Sequence, residues 1–365
     1  MSKKCTNKTK HIRSTTDMGV YLSIKWLELI LIAYMRPFMS IIAIINNIFV
    51  SLVIIRNRRL KSSNKRCFDE VMYSHLLINS IFNILFASLM STSLLNTCVY
   101  NEEDGERGIF CSSLYRTNNA QLFKIWGVEF LGNLTKTCVN ISYTMFAFTR
   151  LLLVASNVTK RLKSMKTKFE NLKIKFFIPF LIVFSVLISL HKLFEYEINE
   201  YMKATLGFPN ESHNELYCEN RSCAFFDTLK MLNDCLNDFG FFVINVVIDL
   251  ILLKCVRMEL KKKEELRGAD ADNTDIKKHQ NNVDNMILLN GLAYSVSHVP
   301  EFIVSLLLLI FRHKLLKFCK KYNSCQLVKD EAKSLTLISS VCQFYILLAF
   351  NENFRREFIK IFRRN

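Results

Sequence analysis

Residues Glu129 to Arg150 read EFLGNLTKTCVNISYTMFAFTR. At 100° per residue, Glu129, Asn133, Lys136, Asn140, Tyr143, Ala147 and Arg150 share one narrow helical face, while Phe, Leu, Val, Ile and Met dominate the others. The stretch is long enough to span a membrane. A charged or amide side chain at that depth is costly, so such a stripe faces other helices or a water-filled cavity rather than lipid. This helix therefore belongs at the centre of a bundle. Its Asn and Thr residues also suit a plainer role as hydrogen-bonding glue between helices.

Composition agrees with a membrane protein. The 365-residue chain is 50% hydrophobic and holds 30 Phe against 9 Gly and 4 Pro. Several apolar runs approach the roughly 20 residues that cross a bilayer core. The net charge of +17 comes from short basic blocks between those runs, a pattern of membrane topology rather than of a nucleic-acid surface. Met1 to Val20 lacks the apolar core of a cleavable signal peptide, so the first span is expected to act as its own insertion signal. Cys218 and Cys223 have no second pair or His cluster beside them, and no metal or cofactor is expected. His191 and Glu195 stand alone at a span end without a nucleophile, so no enzyme is expected.

Working outward, seven spans are predicted. They run from Ile24 or Tyr34 to Ile55, Glu70 to Leu95, Asn119 to Val154, Lys173 to Phe194, Leu229 to Val256, Val283 to Phe311 and Val328 to Phe350. The fold class is an all-α membrane protein: a seven-transmembrane helix bundle at 34–350, after a tail and the start of helix 1 at 1–33. Residues 351–365 close the chain as NENFRREFIKIFRRN, with Phe354, Phe358, Ile361 and Phe362 on one face against Arg and Lys on the other. That is the pattern of an amphipathic helix lying on an anionic membrane leaflet. The charged stretch KKKEELRGADADNTDIKKHQNN is either a loop or helical extensions of its neighbours.

Loop charge orients the bundle. The loops after spans one, three and five carry most of the Lys and Arg and are expected in the cytoplasm. The N terminus is then outside, with glycosylation sequons at Asn7, Asn210 and Asn220. Cys98, Cys111, Cys218 and Cys223 fall in outer loops, and Glu102, Glu103, Asp104 and Glu106 make one of those loops acidic. Acidic loops steer a cationic or peptide ligand, or simply solubilise.

Seven spans, an outer N terminus, a polar third helix ending in Arg150 and a final amphipathic helix resemble a rhodopsin-like (class A) G-protein-coupled receptor. The likeness covers about Ser40 to Phe362, and its motifs are divergent. Asn47 stands where the family has its first-helix Asn, and Thr149-Arg150-Leu151 keeps only the Arg of Asp-Arg-Tyr. Ser297-His298-Val299-Pro300 keeps only the Pro of the sixth-helix motif, and Gln343-Phe344-Tyr345-Ile346-Leu347 stands in place of Asn-Pro-x-x-Tyr. Asn79 or Asn83 replaces the Asp that binds sodium in the family.

The resemblance implies a plasma-membrane receptor that passes an extracellular ligand signal, by our reading a neuropeptide, to a heterotrimeric G protein. It implies a disulfide from Cys111 to Cys223 or Cys218, leaving Cys98 for the other. The switch would comprise Arg150, Asp249, Pro300, Gln343, Asn47 and Asn83. Asn290, Tyr294, Ser297 and Glu301 share a helical face on the sixth span, and an unpaired Lys or Glu in the bundle is expensive. Lys136 and Glu301 are therefore expected to meet near His298, with Thr336 and Ser340 facing them and Glu129 and Asn133 at the entrance, or else each to be separately hydrated in the vestibule. The alternatives are a multi-span transporter or channel, which the missing internal repeat disfavours, and a non-signalling receptor-like protein.

Overall fold

The computed structural model describes residues 30–60, 70–96, 98–100, 108–112, 117–155, 174–197, 210–211, 222–267, 273–310, 332 and 334–363. The first span is α1 (Arg36–Leu60), entered through a wide π-type turn at Ile30–Met35. Its two faces show why it forms: Ile41, Ile45, Ile48, Leu52 and Ile55 are exposed as a lipid-facing row, while Ala43, Asn46, Asn47, Val50, Val53 and Ile54 are buried. The second span is α2 (Glu70–Thr92), and a hairpin of β1 (Cys98–Tyr100) and β2 (Gly108–Cys111) follows it.

The third span is composite, comprising α3 (Asn118–Phe123), a π segment at Lys124–Leu131 and α4 (Gly132–Ala155). Thr117 caps its start by accepting the Ala120 N–H at 3.2 Å. The fourth is α5 (Ile174–Ser189), followed by the short α6 (Lys192–Glu195) and a second hairpin, β3 (Tyr196–Glu197) with β4 (Asn210–Glu211). The fifth joins α7 (Ser222–Asp234), a π turn at Cys235–Gly240 and α8 (Phe241–Arg267). The sixth is α9 (Asn273–Ile310), the seventh α10 (Leu337–Phe350), and α11 (Glu352–Phe362) follows directly.

Among the described residues, five helices are long and apolar enough to cross a membrane, and Leu337–Phe350 is a shorter apolar one. The third span is not among those five. Packing orders the spans as a closed ring, one-two-three-five-six-seven, with the fourth against the outside of the third. The third span is thus the hub, touching the second, fourth and fifth. Clusters of buried apolar residues sit toward both ends: Ala43, Phe86, Ala87, Met90 and Leu337 on the hairpin side, and Val50, Tyr73, Leu76, Phe146, Phe344 and Phe354 on the α11 side.

Several expectations change. The two short hairpins were not foreseen. The charged stretch between spans five and six takes the second of its two expected forms, helical extensions of its neighbours that reach Arg267 and start at Asn273. The seventh span is described as helix at Ala332, Ser334 and Leu335, turns at Thr336 and runs on as α10, while its expected start at Val328 lies outside the described residues. Part of the apolar face of α11 is covered by protein rather than lipid: Phe354 is 0% exposed, and Phe358 packs against Phe49 and Phe344.

Candidate functional site

The polar stripe of the third span points inward along its whole length. Glu129, Asn133, Lys136, Asn140, Tyr143, Ala147 and Arg150 are all buried. Lys136 Nζ donates to Glu301 Oε1 at 2.5 Å, with both side chains almost wholly enclosed. Glu301 follows Pro300 inside α9, so the ion pair ties the third span to the sixth beside the proline. Two turns away, the Tyr143 and Tyr294 rings stack with centroids 4.6 Å apart and planes 4° from parallel. His298 lies against Tyr294, centroids 4.1 Å apart.

A small cavity of about 20 Å³ lies between spans two, three, six and seven, with Asn83, Lys136, Asn140, His298, Ser340 and Gln343 among its walls. That is room for about one water molecule. Thr336 also borders it. Amide side chains organise its floor: Asn79 Nδ2 donates to Gln343 Oε1 at 3.2 Å and Ser142 Oγ donates to Asn79 Oδ1 at 3.1 Å. Gln343 Nε2 is buried with no protein acceptor, so a hydrogen-bonding guest fits there. Asn47 holds the seventh span by donating to Ser340 Oγ at 2.8 Å, and its own helix by donating to the Ala43 carbonyl at 2.7 Å.

Two residues expected at the entrance do not wall this cavity. Asn133 faces the seam with spans four and five, donating to Ser189 Oγ and Asn233 Oδ1, each at 2.9 Å. Glu129 is buried in the π segment and does not wall the cavity. The seam itself is a ladder that the sequence reading missed. Asn237 Nδ2 donates to Thr137 Oγ1 at 2.8 Å and to Asn233 Oδ1 at 2.7 Å; Asn245 Nδ2 donates to Thr144 Oγ1 at 3.0 Å. The four-residue spacing of Asn233 and Asn237 was a visible signal.

Toward α11, Arg150 is buried with its guanidinium carbon 5.4 Å from the Phe146 ring centroid, a cation–π contact. Asp249 is buried near enough for its charge to act on Arg150, although the described residues show no direct ion pair between them. The carboxylate instead crowds the sixth span: a Cβ on Gly291 would meet Asp249 Oδ2 at 3.2 Å. Gly291→Ala should therefore fall short of the roughly 1 kcal/mol that alanine gains over glycine inside a helix, because the carboxylate has to give way. In an Asp249→Ala background the same change should show that gain in full, and equal shifts in thermal unfolding of both would discard the contact as the cause.

Other expected sites are only partly within view. Asn7, Asn220 and Cys218 lie outside the described residues. Asn210 is in β4, and the backbones of Cys98 and Cys111 stand opposite one another in the first hairpin. Cys223 is in α7. The side chains of these four are outside the description.

The profile of the serpentine type 7TM GPCR chemoreceptors called Srw matches residues 109–365, from the first hairpin to the end of the chain. The chain belongs to the Srw family. It is a cell-surface G-protein-coupled receptor, and an extracellular ligand and a G protein are its partners. The Srw match takes in the polar third span, the ion pair and α11, while the first two spans precede it. No curated protein matches the chain.

Proposed function

We propose that this Srw receptor lies in the plasma membrane with its N terminus outside and takes its ligand from the hairpin end of the bundle. The contacts are Lys136, Glu301, His298, Thr336 and Ser340. The buried Lys136–Glu301 pair carries the reading. It bridges two spans beside a polar cavity, so a ligand that competes for either charge changes how spans three and six are joined. Its differential contacts with the joined and parted states set the signal. The acidic loop beginning at Glu102 favours a peptide ligand bearing positive charge, in keeping with a distant kinship to rhodopsin-like peptide receptors.

The G protein then docks at the other end, where Arg150 and Asp249 lie between spans and α11 presents Arg355, Arg356 and Lys360 outward. Those three charges suit the anionic inner leaflet. A disulfide from Cys111 to Cys223 or Cys218 remains our proposal, with Cys98 as the competing partner that the hairpin register puts opposite Cys111.

The test is G-protein activation in cells expressing the full chain, challenged with basic peptides and with small neutral odorants. Basic peptides should evoke a response that Glu301→Gln abolishes at matched surface level, since Glu301 is the charge of the pair that a cation can engage. A response to neutral odorants that survives both Lys136→Met and Glu301→Gln would remove the ion pair from ligand recognition.

A further inference from the structure

The ladder between the third and fifth spans depends on the π turn at Cys235–Gly240. In an uninterrupted α-helix, Asn233 and Asn237 would sit about 120° and 80° away from the direction of Asn245. Taking up one residue in the wide turn brings all three to within about 20° of a common line. That line is the one facing Asn133, Thr137, Asn140 and Thr144. The observed hydrogen bonds thus require the extra residue.

The sequence offers a second solution. The segment reads Asn233-Asp234-Cys235-Leu236-Asn237-Asp238, a doublet repeated at four-residue spacing. If the wide turn relaxes to α, the part of the span before it turns by one residue, about 100°. Asp234 and Asp238 then stand where Asn233 and Asn237 were. Slipping the other way would put Leu232 and Leu236 against the amides of the third span. Only one direction keeps the seam polar.

What holds the turn is the ladder itself and one glycine. No proline lies in the fifth span to keep it open. A Cβ at Gly240 would meet the Cys235 carbonyl oxygen at 3.2 Å, so glycine is what lets the wide turn close. We propose that Cys235–Gly240 is a register switch, exchanging an amide pair for a carboxylate pair against the third span, one residue along from Lys136. The change is one of charge as well as shape. A neutral seam becomes one with two carboxylates, while the Asn245–Thr144 bond beyond the turn stays in place.

Cysteine trapping in the full-length receptor in membranes tests this, in a Cys235→Ser background under mild oxidation. Thr137→Cys is combined in turn with Asn237→Cys, Asp238→Cys and Leu236→Cys, and the crosslinks are read by peptide mapping. Positions 237 and 238 should both trap, and 236 should not. Gly240→Ala should move the ratio of 238 to 237 upward about fivefold, the helix preference of alanine over glycine. Trapping at 237 alone, with or without Gly240→Ala, would mean a fixed turn and overturn the proposal. Equal trapping at 236 and 238 would mean a loose helix with no register, and would overturn it too. Should Gly240→Ala fail to reach the membrane, the contrast between 238 and 236 with Gly240 in place still decides.

Discussion

Lys136→Met and Glu301→Gln are each expected to destabilise the receptor by about 3–5 kcal/mol, because each strands a buried charge that has lost its partner. The contact is 2.5 Å long and both side chains are at most 4% exposed, and the cavity beside them has room for about one water, too little to solvate a stranded charge. Surface expression should fall sharply in both single variants, and thermal unfolding of the purified protein should move down in step. Removing both charges together should cost far less than the two losses added, since two apolar or neutral groups carry no stranded charge. The exchange Lys136→Glu with Glu301→Lys should recover part of the stability. Single variants with unchanged unfolding temperature would show that the pair contributes nothing to holding spans three and six.

Phe354→Ala comes next in size, at about 3–5 kcal/mol for a large aromatic side chain removed from a full core. Phe354 is 0% exposed and makes an edge contact with Phe344, centroids 6.2 Å apart. It is also where α11 is anchored at its start. Asn351 Oδ1 accepts the Phe354 N–H at 3.0 Å, and Asn351 Nδ2 donates to Tyr73 Oη at 3.0 Å. With the ring gone, the cap and the Phe358 contacts with Phe49 and Phe344 are left to hold the start of α11. Hydrogen exchange over residues 352–362 should rise strongly while the bundle stays protected. Phe362→Ala is the control, since that ring is 56% exposed and should cost little. Equal exchange in the two variants would place the anchor of α11 elsewhere.

How much of this was legible in the chain differs by element. The third span was readable because a stripe of seven side chains at helical spacing can only face inward when the other faces are apolar, and all seven are buried. The meeting of Lys136 with Glu301 could be argued from cost alone, since two lone charges in one bundle are both relieved by a single contact. The Asn133 position could not. Its direction depends on the fourth and fifth spans, and the fifth presents Asn233 and Asn237 only after a π turn that no propensity signals. Phe354 was assigned to an apolar face, yet lipid and protein cover such a face equally well from the standpoint of periodicity. Only the direct junction of α10 with α11 at Asn351 decides which one covers it.

The sixth span is 38 residues long, and at 1.5 Å per residue it measures roughly 57 Å, well beyond the ~30 Å of a bilayer core. Its proline stands near one end, leaving the longer arm of about 40 Å between Pro300 and Asn273. A stiff rod hinged there behaves as a mechanical lever. A tilt of about 10° at the proline sweeps the far tip through some ~7 Å, from a displacement of under ~1 Å at the first turn beside the hinge. Glu301 is the residue next to that fulcrum and Lys136 holds it. Whatever loosens the ion pair therefore works on the short side of the lever, where force is concentrated and travel is small, and the protruding end delivers the travel.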